Sequence, residues 1–91
     1  MSLEDARIDL ATALETMDIH QRHEAVKAAV IEHGGTLVPA AVPGRAGNWG
    51  PHFAELSLLG VCHHGNTTGE CIALWIKAVF RMHLASAEAA T

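Results

Sequence analysis

Apolar residues recur at helical spacing at both ends of the chain and alternate with polar ones in its middle, so helices should flank a sheet. Leu3, Ala6, Leu10, Leu14 and Met17 share one stripe, and Ser2 followed by Asp5 reads as an N-cap with an acidic first turn. This predicts a helix from Leu3 to about Met17. Asp18 with Gln21 three residues on repeats a capping signature, and Ile19, His23, Val26, Val30 and His33 form a second stripe ending at Gly34 and Gly35. A second helix is predicted over Ile19 to His33, with the glycine pair as its left-handed stop.

Thr36 to Val42 is apolar and partly β-branched, but Pro39 lacks the amide that a central strand donates, which makes it an edge strand. PGRAGNWGP, Pro43 to Pro51, carries three Gly and two Pro and predicts an exposed hairpin loop bearing Trp49. From His52 to Leu59 the alternation puts Ala54, Leu56 and Leu58 on one face and Phe53, Glu55, Ser57 and Leu59 on the other. That is the pattern of a half-buried central strand. Gly60 permits a turn, and Val61 to His64 pairs back. Thr67 with Glu70 then opens a helix to Leu84, on which Cys71, Ile72, Trp75, Ile76, Ala78, Val79, Phe80, Met82 and His83 sweep an arc of about 200°. The tail ASAEAAT, 85–91, is expected to fray.

The expected fold is α+β: two N-terminal helices, a three-stranded antiparallel meander and a C-terminal helix packed on the sheet. One domain spans 1–91, with a helical pair in 1–35, sheet plus helix in 36–84, and the tail beyond. A sheet whose edge strand is interrupted by Pro39 is too small to cover the last helix's arc. The Ile19, Val26 and Val30 stripe of the second helix can take part of that load, or all of it in a monomer. The favoured expectation is a two-fold homodimer in contact through Trp75, Val79 and Met82, an isologous patch hiding its own surplus apolar surface.

The run from Leu58 to Glu70, leading into an Ala- and Ile-bearing helix, resembles the strand, turn, strand and helix of HicB-like antitoxin domains. Gly60, Gly65, Thr67 and Glu70 stand at matching places. The resemblance covers about a third of the chain and implies an inhibitory or accessory factor, of the phage or plasmid kind, that acts by binding a protein. In topology alone, helix, three strands and helix also resembles the double-stranded RNA-binding domain, which implies a nucleic-acid binder. That family's Lys-rich cluster at the start of its last helix corresponds here to Thr67, Thr68, Gly69 and Glu70.

Composition weighs against nucleic acid. Ten acidic and six basic side chains give a net charge of −4, and the basic residues are scattered, whereas gripping phosphates takes several clustered Lys or Arg. The chain is 49% hydrophobic, rich for 91 residues and consistent with a surface that meets a partner. No run approaches the roughly 20 apolar residues of a membrane span, and the acidic, amphipathic start reads as cytoplasmic. Two cysteines without a secretion signal read as reduced thiols.

Candidate chemistry is sparse. Cys62, His64 and Cys71, with His63 between the first two and His52 nearby, are zinc-type ligands and define an alternative reading as a structural zinc or redox-sensing domain. On a strand, however, Cys62 and His64 share a face that His63 leaves, and Cys71 in the first helical turn is the candidate third ligand. The expected state is thiols independent of metal, and no cofactor. His20, His23 and Glu24 on adjacent helical turns suit packing better than catalysis, and His23 and His33 read as pH-sensitive packing elements. No nucleophile, base and carboxylate set occurs, nor a phosphate-cradling loop. The expected function is a non-enzymatic interaction domain whose loop residues Trp49, Arg45 and Asn48 bind a protein partner. An exposed indole beside a guanidinium is a frequent anchor, although Trp49 could equally fold back over the sheet edge.

Overall fold

A computed structural model describes residues 2–39 and 53–90. The elements are α1 (Leu3–Glu15), α2 (Ile19–His33), β1 (Thr36–Val38), β2 (Ala54–Leu58), β3 (Val61–Gly65) and α3 (Thr68–Ala90). The class is α+β in the expected order, with an antiparallel sheet β1-β2-β3 and the last helix against it.

Local capping sets the helix starts. Ser2 Oγ accepts the Asp5 N–H at 3.1 Å. Asp18 Oδ1 accepts from Gln21 N at 2.9 Å while Gln21 Oε1 accepts from Asp18 N at 3.0 Å, a reciprocal box that satisfies two otherwise orphaned donors. Helix α1 stops at Glu15, short of the expected Met17. Arg22 of α2 takes over its last carbonyls there, with Nε donating to Leu14 O at 2.8 Å and Nη2 to Glu15 O at 3.3 Å. Gly34 ends α2 with φ 77° and an N–H to Val30 O bond of 2.9 Å.

In β2, Ala54, Leu56 and Leu58 are buried and Glu55 and Ser57 are half-buried, as the alternation requires. The strand stops at Leu58. Leu59 and Gly60 form the two-residue turn with φ of 52° and 79°, the paired positive values of a type I′ hairpin. Gly60 adopts this freely; Leu59 is held in it, with its carbonyl accepting Arg7 Nε at 2.7 Å from α1. Strand β1 is shorter than expected, ending just before Pro39, and residues 40–42 lie outside the described ones.

The core joins Leu14 and Ala11 of α1, Val26 and Ala29 of α2, the inner residues of β2 and β3, and Cys71, Ile72, Trp75, Ile76 and Val79 of α3. Here the structure corrects the expected fate of the last helix's arc. Its surplus apolar face is covered within the chain, because α1 lies along α3 and α2 adds a further contact. Trp75 and Val79, expected at a homodimer contact, have 0% and 1% of their surface exposed, and only Met82 of the three keeps its surface, at 44%. Trp75 Nε1 also donates to Leu58 O at 3.1 Å, which fixes the indole under β2. The tail corrects a second expectation: α3 continues through 85–90 instead of fraying, since Ala, Ser and Glu there hold no helix breaker.

Candidate functional site

All three helices gather on one face of the sheet, and among the described residues none packs on the other. The register places Thr36 and Val38 of β1, Glu55 and Ser57 of β2, and Cys62 and His64 of β3 on that open face. Phe53, just before β2, is 54% exposed.

The two sheet edges differ. Strand β1 is three residues long and followed by Pro39, the kind of blunting that keeps an edge from pairing. Strand β3 has five residues in unbroken register with β2 and carries no Pro, Lys or bulge. Leu58 and Val61 close a two-residue hairpin and so exchange both their hydrogen bonds. By alternation Leu56 with His63 and Ala54 with Gly65 are also bonded pairs, while Cys62 and His64 direct their N–H and C=O groups away from β2. Those four groups form a short template for another strand.

On the open face Glu55 stands between the two β3 side chains. Its Oε1 is 3.4 Å from His64 Nε2 and 4.0 Å from Cys62 Sγ. Glu55 was not singled out from the sequence, yet the two-residue turn at Leu59 and Gly60 sets the register that pairs it with His64, and alternation puts it on that face. Both partners remain well exposed, and such surface pairs contribute roughly 0–1 kcal/mol.

Cys71 is elsewhere. It is fully buried between α3 and the sheet's inner face, where Sγ donates to Ala54 O at 3.0 Å and lies 3.8 Å from His63 O. The sheet therefore separates it from Cys62 and His64, and the three do not converge as the zinc alternative requires. Among the described residues no group of three or more His, Cys, Asp or Glu side chains is placed to hold a metal, and both cysteines are free. Burial pushes the Cys71 thiol up, and the negative charges of Glu70, Cys62 and Glu55 push it the same way. Cys62 is exposed. A thiol reagent at mildly alkaline pH should modify one cysteine per native chain quickly and the second only on unfolding, and Cys62→Ser should remove the fast phase. Two thiols reacting at the same rate would contradict this placement.

The chain matches no family model, no curated protein and no solved structure. Its site is thus described by its own geometry. Trp49, Arg45 and Asn48, expected to bind a partner, lie outside the described residues, as does His52. His20 and His33 are exposed, and Glu24 pairs with Lys27 at 3.4 Å instead of with a histidine. His23 is half-buried.

Clefts open on the helix side among the described residues. A small one of about 160 Å³ lies between α1 and α3, bordered by Arg7, Val79 and Met82, with His83 Nδ1 and Glu4 Oε1 3.6 Å apart across it. A larger one of about 480 Å³ opens between α2, β1 and the start of α3. There, Thr67 Oγ1 accepts Glu70 N–H at 3.1 Å, the cap expected for α3. No described helix is long and apolar enough to cross a membrane.

Proposed function

We propose that this chain is a small, non-enzymatic interaction domain, an accessory or antitoxin-like inhibitory factor of the cytoplasm, that takes up a strand of a protein partner along β3. The reading rests on the unblunted edge of β3, where Cys62 and His64 present outward backbone donors and acceptors beside an open sheet face. Main-chain pairing supplies affinity in this mode, and side chains on alternate residues supply selectivity. Here those side chains are Cys62 and His64, with Glu55 behind them. The resemblance of residues 58–70 to HicB-like domains agrees with a protein-binding, inhibitory role.

Two proline substitutions test it. At His64 the amide points outward, so His64→Pro should leave the ladder to β2 intact while removing a docking donor. At His63 the amide is bonded to β2, and His63→Pro should unfold the hairpin. Partner captured from the native host by the tagged wild-type chain should bind His64→Pro at least about tenfold more weakly, a loss of about 1.4 kcal/mol or more. The Cys62 and His64 amides should become protected from hydrogen exchange in the complex. Equal binding by His64→Pro, with those amides unprotected, would remove β3 as the contact. Protection in the isolated chain that grows with its concentration would make the partner a second copy.

A further inference from the structure

We propose that the cleft between α2, β1 and the start of α3 binds a small amphipathic carboxylate, an apolar body carrying one acid group. The site is separate from the β3 edge and independent of the function proposed above. It exists because α3 covers β3 and β2, whereas α2 reaches β1 only in part. Leu37 pairs with Leu56 and so faces the helices, yet it is only half-buried, at the cleft. The volume of about 480 Å³ falls within the range of small-molecule sites.

The walls sort by chemistry. Val30 and Ile31 of α2 with Leu37 and Pro39 give an apolar surface, and Ile31 is 84% exposed, the most exposed large hydrophobic side chain described. A hydrocarbon body laid there would remove that surface from water. The polar lining is His23, Lys27 and Thr68, all capable of donating a hydrogen bond, and no described carboxylate lines the cleft. In a chain of net charge −4, a cleft lined by an ammonium whose partner, Glu24, stays outside the lining in an exposed pair favours an anion.

His23 strengthens this. Its Nε2 is buried and has no hydrogen-bond partner among the described residues, a state that folded proteins ordinarily avoid. That atom has less than 1 Å² of accessible surface, so a ligand carboxylate reaches it only once the imidazole turns toward the cleft. Among the described residues Lys27 is held only by Glu24, 3.4 Å away in an exposed pair that solvent screens, so its ammonium can turn to the same acid group. A neutral amphiphile would meet the apolar walls but leave both groups unanswered, and a cationic one would be repelled by Lys27.

The probe is decanoate, below its micellar range, titrated into the full chain and followed residue by residue through amide NMR shifts. Saturable shifts should centre on His23, Lys27, Ile31, Leu37 and Thr68. Decanol should bind about tenfold more weakly or less, and decyltrimethylammonium not at all at that site. Lys27→Gln, at an exposed position, should keep the native spectrum and lower decanoate affinity about tenfold while leaving decanol unchanged. Absence of shifts at millimolar decanoate would overturn the proposal. So would shifts that spread without saturating, decanol binding as tightly as decanoate, or Lys27→Gln binding as well as the parent.

Discussion

Trp75→Ala is expected to leave the domain largely unfolded or close to it at 25 °C. The indole is completely buried among core residues contributed by all three helices and the sheet. Removing a buried Trp side chain costs about 3–5 kcal/mol, through lost burial plus the cavity left behind. A chain of 91 residues has about 5–14 kcal/mol in all, at roughly 0.05–0.15 per residue, and small domains lie toward the lower end. Trp75→Phe should be milder, since it keeps much of the apolar volume and gives up chiefly the 3.1 Å bond to Leu58 O, at about 1 kcal/mol. Urea denaturation followed by circular dichroism measures both. A loss below about 1 kcal/mol for Trp75→Ala would mean that the side chain is not enclosed as described. The loss should also be independent of protein concentration, because the enclosure is intramolecular; a concentration-dependent loss would return Trp75 to a contact between copies.

Gly35→Ala should destabilise far more than Gly34→Ala, although the two are adjacent and read from sequence as a single helix stop. A Cβ on Gly35 would run into the Ser57 carbonyl oxygen, with Leu58 Cδ1 at 3.2 Å and Leu58 Cα at 3.3 Å. Two of those atoms are backbone of the central strand, which pairs on both sides and has no freedom to retreat. The cost should be about 3 kcal/mol, in the upper part of the overpacking range. Gly34 has open space around its would-be Cβ, and its cost is only that of a positive φ of 77° for an L side chain, about 1 kcal/mol. Thermal unfolding of the two variants separates them. Equal shifts would show that close approach of α2's end to β2 is not what Gly35 provides.

The same contrast divides what was legible in the chain from what was not. Helix α2 has the limits its sequence implies, Ile19 to His33, because Asp18, Gln21 and Gly34 act on backbone groups within one turn of themselves. The inward set Ala54, Leu56 and Leu58 was equally readable, since strand alternation needs no knowledge of the partner. The run to Ala90 was readable in principle, as Ala and Glu are strong helix formers, and was obscured by the small, polar look of the tail. Glu55's place beside His64 also follows once the turn length is known.

By itself the sequence determined the α+β class, the order of elements, the hairpin at Gly60 and the caps of all three helices, each written into residues a few positions apart. Only the tertiary structure decided what covers the last helix, that Cys71 and Cys62 lie on opposite sides of the sheet, that Gly35 rather than Gly34 is the crowded glycine, and that a cleft remains beside Leu37. The reason is one of range. Capping and alternation act between neighbours along the chain, whereas the seating of α1 on α3 joins residues as far apart as Glu4 and His83 through shape and volume, which no local pattern encodes.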